Sequence, residues 1–93
     1  MKVVFEKSPR KGKKLRAIFS DGKKIDFGSE TMSDFTLHKD VERKQRFLNR
    51  FQKLIEKYKN DPQAPMTLST WVLWHKPTLE ASIRDYKKHF GLT

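Results

Sequence analysis

Five basic residues, Arg43, Arg46, Arg50, Lys53 and Lys57, recur at alternating intervals of three and four. On a helix turning about 100° per residue they share a sector of roughly 80°, so they form one cationic stripe. Gln45, Asn49, Gln52 and Glu56 occupy the opposite flank, and no acid stands at four-residue spacing along the stripe to neutralise it. The chemistry open to such a row is the binding of repeated anions, above all phosphates. The plainer alternative is a solvated flank whose methylene stems cover apolar surface beside a core-facing stripe.

A second cationic cluster, Lys7, Arg10, Lys11, Lys13, Lys14 and Arg16, lies within ten residues and has no acid among its members. Arg10, Lys11, Lys13 and Lys14 are expected to straddle phosphates, with Gly12 letting backbone approach an anion. Release of counterions would supply most of the affinity and little sequence selectivity. The same lysines could instead guard a sheet edge against pairing with another chain.

Catalytic chemistry finds less support. His38, His75 and His89 are too far apart in sequence for the usual zinc spacings, and the chain has no Cys. Asp26, Glu30, Asp34 and Asp40 could gather a magnesium ion for nuclease chemistry, but their irregular spacing suits caps and turns. The four glycines are scattered singly, so no phosphate-cradling loop is expected. Neither catalytic nor metal-binding residues are assigned, and no cofactor is expected. Trp71 and Trp74, three apart, are expected on one side of a short helix. Paired tryptophans in so small a domain are more often core anchors than stacking platforms. An exposed one would mark a protein contact, for which Trp74 and His75 are the candidates.

The 93 residues carry 21 Lys plus Arg against 11 Asp plus Glu, a formal charge of +10, with 35% hydrophobic residues. This length supports one domain with one core and excludes a multidomain enzyme. The charge implies an acidic partner, of which nucleic acid is the commonest. No apolar run approaches the roughly 20 residues that span a bilayer, so neither a membrane partner nor a targeting segment is expected.

The secondary structure that carries these groups is set by a change of hydrophobic period near residue 30. Val3 and Phe5, then Leu15, Ala17 and Phe19, then Ile25 and Phe27 alternate as half-buried strands do, and Asp21-Gly22 marks a tight hairpin turn. Residues 1–28 are therefore expected to form a three-stranded antiparallel meander with one wet face. A connector over 28–38 shows no helical period, although Phe35 and Leu37 are expected to reach the core. One long helix is expected over 40–58, with Asp40 as its cap. A short helix should come next, over 67–75, and then a C-terminal helix over 78–90, closed by Gly91. The fold class is α+β, with the meander packed against three helices in a single domain, 1–93.

The runs Ser33-Asp34-Phe35-Thr36-Leu37-His38-Lys39-Asp40, Glu42-Arg43-Lys44 and Leu68-Ser69-Thr70-Trp71-Val72-Leu73-Trp74-His75-Lys76-Pro77-Thr78-Leu79 lie in the second of these halves. They resemble a family of small uncharacterised basic proteins encoded by large eukaryotic DNA viruses, over about residues 27–90. The resemblance implies a viral origin and an accessory or virion role, without an activity or a site. Taken with the charge, the expectation is a non-enzymatic protein that binds nucleic acid through phosphates. The alternative is a minor capsid or cement protein that faces acidic surfaces of neighbouring virion proteins. A small metal-dependent nuclease is the third reading.

Overall fold

Alternating apolar residues in the first third of the chain form three strands, β1 (Val3–Lys7), β2 (Lys13–Phe19) and β3 (Lys24–Ser29). They make an antiparallel sheet in the order β1-β2-β3, as a computed structural model describing residues 1–93 shows. The register places Val3 opposite Phe19, Phe5 opposite Ala17 and Leu15 opposite Phe27, which puts every strand's apolar set on one face. Gly22, at φ +93°, supplies the left-handed conformation of the β2–β3 turn. The opposite face is largely wet: Lys2, Val4, Glu6 and Lys24 are exposed. There Arg16 meets its cross-strand neighbour Asp26 through two hydrogen bonds, 2.9 and 3.1 Å long. Residues near the C-terminus run beside β1, where the Thr93 carbonyl accepts from the Val3 N–H and the Thr93 N–H donates to the Met1 carbonyl.

The helices cover the apolar face. They are α1 (Phe35–His38), α2 (Val41–Arg50), α3 (Gln52–Tyr58), α4 (Pro65–Leu68) and α5 (Leu79–Phe90), with a π-helical segment, Ser69–Leu73, continuing α4. Val3, Ala17, Phe19 and Phe27 from the sheet meet Leu68, Val72, Leu73 and Tyr86 from the helices in one buried cluster. The architecture is thus α+β, an antiparallel meander under a helical layer. Asp40 caps α2, accepting from the Glu42 and Arg43 N–H groups, and Thr78 caps α5, which Gly91 ends at φ +65°.

Four expectations are corrected. The connector contains one helical turn, α1, capped by Asp34; a single turn sends Phe35 inward and leaves Leu37 64% exposed. The helix over 40–58 is two helices, because Phe51 leaves the helical region at φ −104°, ψ 14°. No proline or glycine marks this bend; the two halves rest on different partners. Phe47 of α2 lies flat on Trp74, whereas α3 is tied to α4 by the Thr67 hydroxyl, which donates to the Tyr58 carbonyl at 2.6 Å. The short helix starts earlier, at Pro65, whose missing N–H costs nothing in a first turn. Its second half is the π-helical segment, whose wider turn redirects the chain at Trp74.

That wider turn separates the two tryptophans, correcting the expectation that they share a side. Trp71 stacks on His89 at 4.5 Å and meets Phe90 edge-on. Trp74 has already left the helix, at φ −120°, ψ 10°, and packs against Phe47 and His38. Both rings are half-buried and rest against the core rather than inside it.

Candidate anion-binding cleft

Helix α2 has a strongly apolar side yet contains no buried residue. Its Phe47 reaches Trp74, with ring centroids 4.3 Å apart and planes 4° from parallel. Lys44 anchors the helix beside that stack: its ammonium donates to the His75 carbonyl at 2.7 Å and sits 4.9 Å from the Phe35 ring centroid. Burial, and secondarily the charge of Lys76, push the Lys44 ammonium below its ordinary pKa. Held at these points, α2 stands off from the sheet and leaves a cleft of about 730 Å³.

One wall of the cleft carries Arg43, Arg46 and Arg50; Phe51, Met66, Leu73 and Trp74 give it an apolar lining. The facing wall is the end of β3 and the loop after it. Gly28 belongs to this wall at φ +80°, and a Cβ there would lie 2.7 Å from the Leu73 side chain. A glycine is therefore what lets the π-helical segment sit directly on β3. All three arginine side chains are exposed, and none forms an ion pair or a side-chain hydrogen bond within the protein. The Arg50 guanidinium lies 5.3 Å from the Phe51 ring centroid, the one cation–ring contact among the three.

The other basic residues singled out by sequence fall elsewhere. Lys14 lines the same cleft, but its ammonium is 2.5 Å from a carboxylate oxygen of Asp34 and also donates to the Met32 carbonyl. Asp34 is only 2% exposed, and it accepts further bonds from the Thr36 N–H and hydroxyl. Lys14 is thus a structural lysine joining β2 to the loop before α1. We expect Lys14→Met, which strands a buried carboxylate, to cost about 2 to 3 kcal/mol. Thermal unfolding checks this through a fall of roughly 10 to 20 °C in Tm.

Arg10 and Lys11 are exposed, Lys13 is half-buried, and none of the three lines the cleft. Nor is their hairpin as uncompensated as its sequence reads. The cross-strand register brings Asp26 to Arg16, and the Gly12 N–H is already taken by a Glu30 carboxylate oxygen at 3.0 Å. The Arg16 guanidinium, helped by the Ser8 hydroxyl, holds the Asp26 carboxyl down at about 2. Lys53 and Lys57, beyond the bend, lie outside the cleft lining, with Lys57 over the Tyr58 ring.

Of the protein-contact candidates, Trp74 is part of the cleft wall, stacked on Phe47 and in tilted contact with His38. His75 is partly exposed on another side, its Nε2 2.9 Å from Asp85, and the neighbouring imidazole holds that carboxyl below its usual range. His38 accepts the Asp40 N–H at Nδ1, which places its own proton on Nε2, a buried atom without a partner. Burial, followed by the charge of Arg43, lowers its pKa, favouring the uncharged ring beside Trp74. No group of three or more His, Cys, Asp or Glu side chains is placed to hold a metal ion. No helix is long and apolar enough to cross a membrane.

Sequence reasoning missed the cleft because its apolar residues on α2 and at its end, Phe47 and Phe51, have the spacing of ordinary core positions. The available signal was the arginine row beside an apolar stripe too rich in aromatic rings for so small a core. Neither a curated protein nor a solved structure gives a significant match to the chain. A family match covers residues 3–51, just over half of the chain, taking in the whole sheet and the arginine helix and ending at the bend. On that match the chain belongs to the family described as a family of unknown function, DUF5754.

Proposed function

We propose that the protein binds nucleic acid through its phosphates, with weak sequence selectivity, using the arginine row of α2. The observation that carries this reading is the convergence of Arg43, Arg46 and Arg50 on one cleft with no acid paired to any of them. Guanidinium groups left without partners on a chain of charge +10 are suited to recruit phosphate oxygens, which they bind bidentately. Lys53 and Lys57 extend the positive field past the bend. Arg10, Lys11 and Lys13 add to the long-range attraction without joining the cleft. An accessory role in a large DNA virus, implied by the family resemblance, belongs to the same proposal.

Fluorescence anisotropy with a labelled oligonucleotide and a scrambled control, at about 50 and 200 mM salt, tests it. Contacts from the three arginines alone give a slope of log affinity on log salt of about −2 on a single strand, and all five stripe residues about −3.5. Sequence-blind binding with a slope in that range supports the reading. Absence of binding at the lower salt would overturn it and turn the cationic surface toward an acidic protein neighbour, as in a virion.

A further inference from the structure

Resting on the phosphate-binding reading, we propose that the cleft takes an unpaired base, so that the protein prefers single-stranded nucleic acid to duplex. The row from Arg43 to Arg50 spans seven residue steps of α2, or about 10 Å at 1.5 Å per residue. Three guanidinium groups along that length suit an anion that repeats along a strand. A fatty acid, with its one carboxylate, would leave most of the row unused. Beneath the row the lining is apolar and soft, with Phe51, Met66 and Leu73, and it is large enough, at about 730 Å³, to admit a planar ring.

A duplex cannot use this lining. Its bases are stacked and paired inside a stiff rod, so only its phosphates would reach the arginines, and the apolar depth of the cleft would stay empty. A single strand can hold its phosphates on the rim and turn a base inward. Ser33 and Ser69 face the cleft with hydroxyls that make no side-chain hydrogen bond in the protein, and Asn49 adds an amide whose oxygen is engaged by Gln45. Such groups can meet the edge of any base, which agrees with weak sequence selectivity. Trp74, held flat against Phe47 and in tilted contact with His38, positions the wall of the cleft.

The test compares three labelled ligands of equal length, about 20 nucleotides: an oligothymidylate, a duplex, and an abasic strand that keeps the phosphates without bases. The oligothymidylate should bind at least about tenfold more tightly than either of the others. A cleft-filling Ser69→Leu variant, with Ser33→Leu as a second should the first fail to fold, should reduce oligothymidylate affinity to the duplex level. Equal binding of the oligothymidylate and the abasic strand overturns the base pocket while leaving the phosphate reading standing. Loss of binding to all three overturns both. Saturable binding of the cleft to anionic phospholipid vesicles or to an acidic peptide, with no preference for the oligothymidylate, also overturns the inference.

Discussion

Replacing Arg43, Arg46 and Arg50 together by glutamine is expected to lower oligonucleotide affinity at least about tenfold at 50 mM salt, and to reduce the magnitude of the salt slope by about 2. The effect is large because all three groups line one cleft, and because none is engaged in holding the fold together. For the same reason the variant should keep its unfolding temperature within a few degrees of the parent. Glutamine is a good helix former, and no ion pair is lost. Anisotropy and thermal unfolding on the same preparation separate the two effects. A folded variant with unaltered slope would remove the α2 row from the binding surface.

The second large effect concerns the core. Tyr86 is completely buried in α5, its ring edge-on to Phe5 and tilted against Phe90, and its hydroxyl donates to the Pro62 carbonyl at 2.5 Å. One side chain therefore joins the sheet, the C-terminal helix and the turn after α3. Burial, reinforced by the charge of Asp61, raises the phenol well above its ordinary pKa, which favours the protonated hydroxyl as a donor. Tyr86→Ala should cost about 3 to 5 kcal/mol, enough to unfold much of the population of a domain this small. Tyr86→Phe keeps the ring and isolates the hydroxyl, whose loss strands the Pro62 carbonyl and should cost about 1 to 2 kcal/mol. Denaturant unfolding of both variants checks the ratio. Equal losses would mean that the hydrogen bond, not the packing, dominates.

How legible the molecule is from its sequence depends on the range of the interactions involved. The meander follows from alternation and from Asp21-Gly22, both local, and the caps Asp40 and Thr78 and the stop at Gly91 follow from side-chain chemistry within one turn. The bend at Phe51 does not, because α2 and α3 have sound helical patterns and part only where Trp74 and α4 draw them in different directions. Lys14 reads as one of several free lysines until the fold brings Asp34 to it from 20 residues away. The arginine row was visible on a helical wheel. Its cleft was not, since Phe47 and Phe51 have the pattern of buried positions and only the stand-off of α2 leaves them lining an opening.

If one cleft, bounded by α2, holds the nucleic acid, the residues that respond to binding must map onto its two walls. Titrating isotope-labelled protein with the oligothymidylate while recording amide and indole NMR shifts reads this residue by residue. The largest changes should fall on Arg43 to Phe51, on Gly28 to Ser33 and on the Trp74 indole, with the wet face of the sheet unmoved. Changes confined to Arg10 to Lys13, or centred on Trp71 and His89, would contradict it.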